Sequence, residues 1–186
     1  MSLESFVRAL DGFEAVVAAV DDDRWDAPSP CAGWSAADVA GHVIGGLRAI
    51  SALASGSHAP DVGGRPRAAA GSNPSASWQE ARMGMMAELG PGALGRPVPL
   101  PWGETMRLGQ YLSRYPLEIV VHTWDLAQAA GLPVALDPEL VRQAIETAEA
   151  FAPVARSAGL IGPAVVVADD ADDQARLLAV FGRGQS

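Results

Sequence analysis

Glu118 and His122 stand four residues apart in "LEIVVHTWDLA", Leu117 to Ala127, one of the most apolar stretches of this 186-residue chain. On a helix that spacing puts both side chains on one face, about 5–6 Å apart at Cβ, so that one cation can sit between them. Taken alone the pair has two readings: a buried, hydrogen-bonded Glu–His pair, since buried ionisable groups are usually paired, or part of a metal site. A catalytic zinc typically takes three ligands of the His and carboxylate type and keeps a fourth position open. Of the other two histidines, His58 lies in a Gly- and Pro-rich loop, whereas His42 falls on the edge of an apolar helical stripe and points inward. A dication compensates a carboxylate on an apolar face more fully than a neutral imidazole does, which makes His42, Glu118 and His122 a candidate ligand set. Metal-bound imidazoles usually give their other N–H to a carboxylate or carbonyl. Asp38, one turn before His42, and Asp125, one turn beyond His122, are placed for that task. Each has another role open, Asp38 as a helix cap and Asp125 at a water-facing helix edge.

The remaining reactive residues offer less. Cys31 in "PSPCAGW" has no sequence-adjacent base or basic group to lower its pKa and reads as structural. As a single cysteine it excludes an internal disulfide and any multi-cysteine zinc framework, and it fits a reducing compartment. Trp34, Trp102 and Trp124 read as packing residues, and Arg48 and Arg82 are the candidates for holding an anionic substrate. Gly45 and Gly46 each cost a helix roughly 1 kcal/mol against Ala, which points to a close approach by a substrate or a neighbouring helix. No Gly-rich phosphate loop, Ser-centred elbow or cysteine-pair motif occurs, and no residue stands out as general acid or base.

Helices must carry these groups. Leu3, Phe6, Val7, Leu10, Phe13, Val17 and Val20 recur at helical steps up to the acidic Asp21 to Asp23. After the connector "WDAPSPCAGW", Ser35 and Asp38 form a capping box that opens a second helix to about Leu53, with Val39, Val43, Leu47 and Ile50 inside. Gly56 to Pro74 lacks periodicity and suits either a lid or disorder. Ser77 and Glu80 predict a capping box for a shorter helix that stops at Gly90 and Pro91. "RPVPLPWGETM" reads as extended and turned. One long helix is expected from about Leu108 to Ala130, kinked by Pro116 and ended by Gly131. Asp137 and Pro138 open another through about Phe151, followed by the apolar "AVVVA" and a last amphipathic piece, "DDQARLLAVFG". Helices with short connections and little strand predict an antiparallel bundle.

Composition narrows the function classes. Apolar residues make up 49% and charged residues 19%, with no uninterrupted run of 18 apolar residues, so a compact soluble chain without a membrane span is expected. The N-terminus lacks a basic region followed by an apolar stretch, which argues against a secretory signal and for the cytoplasm. A net charge of -9 repels phosphate backbones and speaks against nucleic acid as a partner.

"PSPCAGWSAADVAGHVIGG", followed about 75 residues later by "EIVVHTWDLAQAAG", resembles the N-terminal metal-binding domain of the mycothiol-dependent maleylpyruvate isomerase family, within the DinB-like superfamily. The terminal "DDQARLLAVFGR" is similar to the tail of a compact actinobacterial subgroup of it. The resemblance implies an all-α fold, a DinB-like antiparallel four-helix bundle over residues 1–135 with a C-terminal helical extension over 136–186 packed on it as one structural domain. It implies a divalent metal, usually zinc, on the residues matching His42, Glu118 and His122. It further implies a transferase or isomerase in which the metal activates a thiol, mycothiol as co-substrate, against a small electrophile. Isomerases of the family have a further C-terminal domain that contributes to the active site, whereas about 50 residues follow the long helix here, so maleylpyruvate itself is not the expected substrate. The alternatives are a metal-binding stress-response or ligand-binding module without turnover, and a helical protein whose site is empty. No membrane or nucleic-acid partner is expected, and a homodimer is an open assembly state.

Overall fold

The structure, a computed structural model, describes residues 2–60, 66–90, 92–99, 105–159 and 161–184. Helix α1 spans Leu3–Ala19, opened by reciprocal hydrogen bonds between Ser2 and Ser5, and buries Phe6, Leu10, Phe13 and Val17. Helix α2, Ala36–Ser55, starts at the Ser35–Asp38 capping box and ends at Gly56, whose φ of 85° is open to glycine without a Cβ penalty. The short helix α3, Pro66–Ala70, lies inside the segment 56–74. α3 packs against α2, where a Cβ on Gly41 would collide with the Pro66 carbonyl. Residues 61–65, Pro91 and Trp102, which the sequence reading also touched, lie outside the described residues.

Helix α4, Pro74–Glu88, begins three residues before the expected Ser77–Glu80 box. Asn73 is the cap, its Oδ1 accepting from the Ala76 N–H at 3.0 Å, and Pro74 takes the first helical position, where a missing N–H costs nothing. Ser77 is already helical, its N–H bonded to the Asn73 carbonyl. Strands β1, Pro97–Pro99, and β2, Thr105–Arg107, pair antiparallel with Val98 opposite Met106, which realises the extended segment. The single helix expected from Leu108 to Ala130 is two: α5, Leu108–Arg114, and α6, Pro116–Ala130, meeting at Tyr115. Pro116 has no N–H for the Leu112 carbonyl, so it opens a new helix instead of bending an old one. Helix α7, Pro138–Ser157, starts at Asp137 as expected but runs six residues past Phe151 because its small apolar face continues through Ala152 and Ala155. Asp172 caps the last helix, α8, Asp173–Val180.

α1 packs on α6 and α4, and α2 packs on α4 and α6, which closes a four-helix ring; α7 lies on α6 and α8 on α7. The core fills with Phe6, Phe13, Leu47, Trp78, Met85 and Ile119, all fully buried. The result is the all-α, DinB-like bundle with extra C-terminal helices. Among the described residues, no helix is long and apolar enough to cross a membrane.

Candidate metal centre

α2 and α6 pack against each other with His42 and Glu118 facing across the contact, and Nε2 of His42 lies 2.5 Å from Oε1 of Glu118. His122, one turn further along α6, brings its ring to a centroid distance of 4.8 Å from that of His42, nearly perpendicular to it. One ligand atom from each of His42, Glu118 and His122 lies within 4.8 Å of the others. The mouth is open on the Glu118 side, where 45% of that side chain is accessible against 26% for His42 and 12% for His122.

Small residues make this approach feasible. A Cβ on Gly46 would meet the Tyr115 hydroxyl oxygen, so the close neighbour implied by the glycine pair is the residue that leads into α6. Pro116 then sets the start of α6 two residues before Glu118. Helix packing, not substrate, accounts for Gly46.

The flanking carboxylates separate clearly. Asp125 is fully buried, and its Oδ2 lies 3.0 Å from Nδ1 of His122. Asp38 faces away: its Oδ2 accepts from the Ser35 N–H at 2.9 Å and from the Ser35 hydroxyl at 2.5 Å. No hydrogen bond joins it to His42 among the described residues, because its position in the first turn of α2 commits it to the cap. The expected anchoring of His42 by Asp38 is therefore not what the structure contains.

Three further groups reach the site, Cys31 and Trp34 from the connector before α2 and Arg183 from the C-terminal tail. The Arg183 guanidinium grips Asp125 as a fork, Nε to Oδ1 at 3.0 Å and Nη2 to Oδ2 at 2.7 Å. The same Nη2 donates to Cys31 Sγ at 3.2 Å, and the Cys31 thiol donates to Asp125 Oδ2 at 3.2 Å. Trp34 lays its indole against both histidines, 5.2 Å from the His42 centroid and 6.1 Å from that of His122. Trp34 was legible only as a packing residue and Cys31 only as structural, while Arg183 closes the tail motif "DDQARLLAVFGR" with no local cue to its partner. Arg48 and Arg82 sit elsewhere, Arg48 donating to the Ala69 carbonyl and Arg82 pairing with Asp11 and Glu14, so neither is free for an anionic substrate.

The electrostatics follow from these contacts. Desolvation at the α2–α6 contact pushes the Glu118 carboxyl up, but the His42 hydrogen bond and the neighbouring His42 and His122 rings outweigh it and hold Glu118 below its ordinary value. Burial is likewise outweighed at Asp125, where His122 and Arg183 hold the carboxyl at about 2. Cys31 goes the other way, raised to about 12 by burial and by the Asp125 charge. Burial and the nearby Glu118 charge raise Tyr111 to about 12. Around neutrality the site thus holds two carboxylates, a guanidinium and a protonated thiol.

This donor set fits a zinc-type dication. Bonds of about 2.0–2.2 Å from imidazole nitrogen and carboxylate oxygen place tetrahedral donors roughly 3.4 Å apart, a spacing between the 2.5 Å His42–Glu118 contact and the 4.8 Å within which all three ligand atoms lie. With Nδ1 of His122 engaged by Asp125, Nε2 is the nitrogen left to ligate an ion.

The family model for the mycothiol maleylpyruvate isomerase N-terminal domain matches residues 6–127, a span that contains His42, Glu118 and His122. Two uncharacterized proteins of Mycobacterium tuberculosis, Rv0738 and MT0763, are each 31% identical over 145 residues, covering 77% of this chain and 75% of theirs. Among solved structures, a histidine-to-alanine variant of the mycothiol-dependent maleylpyruvate isomerase superposes with a TM-score of 0.55 at 15% identity, over 80% of this chain and 68% of that one. At that identity the likeness speaks for the fold alone.

Proposed function

The chain belongs to the mycothiol maleylpyruvate isomerase N-terminal domain family, and from that premise we propose that it is a divalent-metal-dependent transferase or isomerase that joins a small thiol, mycothiol by family analogy, to an electrophilic substrate. The observation that carries this reading is the convergence of His42, Glu118 and His122 at the mouth of the bundle with one side open to solvent. These three would hold the metal, with zinc the first choice for a set of two imidazoles and a carboxylate. When bound, such an ion deprotonates a coordinated thiol at neutral pH and so supplies a nucleophile.

The chain's own residues do the rest. Asp125 fixes the orientation of the His122 ring through Nδ1, and Trp34 walls one side of both imidazoles against water. Glu118 stays anionic and gives the open mouth a charge that a dication balances. Residues 1–135 form the metal-binding bundle in this reading, and 136–186 contribute the tail that ends at Arg183.

Elemental analysis of untagged protein tests the metal; near-stoichiometric divalent metal, lost in His122→Ala, is the expected result, and absence of metal with no uptake of added zinc overturns it. Turnover is tested by metal-dependent conjugation of mycothiol to a panel of electrophiles. No metal-dependent rate with any of them would favour a binding module instead.

A further inference from the structure

His122 belongs to two overlapping groups of ligand atoms. One is the His42, Glu118 and His122 set; the other is Cys31, His122 and Asp125, whose ligand atoms also lie within 4.8 Å of one another. The second set is the better sheltered, with Asp125 fully buried and Cys31 half-buried. It is also softer, since a thiolate replaces one imidazole, and thiolate, imidazole and carboxylate together suit a zinc-type ion. By donor chemistry alone the second set should compete for the metal.

Arg183 stands in its way. Nη2 of Arg183 lies 2.7 Å from Asp125 Oδ2 and 3.2 Å from Cys31 Sγ, the two atoms a cation there would bridge, while Nε takes the other carboxylate oxygen at 3.0 Å. The guanidinium is itself largely enclosed, with 12% of its side chain accessible. It cannot give up its charge, so it serves as a permanent cation at this position. A dication placed beside it would meet both its charge and its bulk. The geometry points to Arg183 as the selector between two overlapping ligand sets: with it in place the dication goes to His42, Glu118 and His122, and without it the Cys31, Asp125 and His122 set takes the metal, the thiol proton leaving to solvent. This rests on the metal-site reading only for the first set; the second stands on its own distances.

The test uses apo-protein reloaded with cobalt(II) and followed by electronic absorption, because cobalt bound to a thiolate gives a charge-transfer band that cobalt on imidazole and carboxylate lacks. The intact chain is expected to bind cobalt without that band. Arg183→Ala is expected to show the band, and Arg183→Ala combined with Cys31→Ser to lose it. Arg183→Lys, which keeps the cation, should behave as the intact chain does. Arg183→Gln, which retains a hydrogen-bond donor for Asp125 without the charge, reports the same outcome where the alanine variant does not fold, as judged by circular dichroism. A thiolate band in the intact chain, or none in the folded Arg183→Ala or Arg183→Gln protein, overturns the inference. Failure of the intact chain to bind cobalt at all would instead count against the proposed function, and the band in the variants would still report on Arg183.

Discussion

His122 and Asp125 sit one turn apart on α6 with Nδ1 and Oδ2 3.0 Å from each other, and this contact decides which face of the imidazole looks into the bundle mouth. A carboxylate buried there is tolerable only because the Arg183 fork holds its other side. The order Arg183, Asp125, His122 is thus a chain of orientation that starts in the C-terminal tail and ends at the proposed metal.

Loosening that chain should weaken metal binding without removing a ligand. Asp125→Asn is expected to lower zinc affinity by about 10–100-fold, the range seen when the carboxylate partner of a ligating histidine is lost. Competition against a chromophoric chelator measures it, with His122→Ala as the variant that should not bind at all. An affinity for Asp125→Asn equal to that of the intact chain would show that the contact plays no part in orienting the ring.

The Cys31 thiol, raised to about 12, should stay protonated through pH 10, whereas an ordinary cysteine titrates near about 8.5. Alkylation by iodoacetamide in the folded apo-protein is expected to be slow at pH 7, to keep rising with pH through pH 10 without levelling off, and to accelerate on unfolding in urea. A rate that levels off above about pH 9 would place a normal thiol at this position.

Asp137 offers a pH-dependent stability contribution away from the site. Its burial is outweighed by the bond from Arg8 and by the N–H groups of Leu140 and Glu139, so its folded-state pKa lies below the ordinary carboxylate value. Between those two values the unfolded chain binds more protons, and stability therefore rises with pH there. The contribution is complete above the unfolded value of about 3.9 and is lost as pH falls through the folded one. Asp137→Ala should cost about 1 kcal/mol at pH 7 as a lost cap, and the gap in urea midpoint should narrow below pH 4. A gap that widens in acid would contradict the assignment.

Gly46→Ala pits helix propensity against space. Alanine gains up to about 1 kcal/mol in a helix interior, while overpacking against the Tyr115 hydroxyl costs typically about 1–3 kcal/mol. The net expectation is a loss of stability, read as a lower denaturant midpoint, accompanied by weaker zinc binding as α6 shifts from α2. A more stable variant would mean that Tyr115 moves aside freely.

What the sequence by itself determined was local. The four-residue step from Glu118 to His122, the Ser35–Asp38 and Asp137–Pro138 helix starts, and the glycine stop at Gly131 depend on neighbours within one or two turns, and each appears in the structure. The inward-facing stripe of the second helix brought His42 to the other two, the family resemblance pointed to the same set, and the packing of α2 on α6 places it there. Misreadings arose where two local signals competed. Asn73–Pro74 took the cap that Ser77 and Glu80 also encode, and Pro116 split a helix whose apolar stripe runs unbroken through it. Only the tertiary structure decided the rest. Arg183 meets Asp125 across 58 positions and Cys31 across 152, and Cys31 meets Asp125 across 94. No periodicity reaches that far, because such contacts are set by how helices and tail pack and by which buried charge finds which partner. The same physics turned Asp125 inward to a guanidinium and left Asp38 on its cap, although both stand one turn from a histidine.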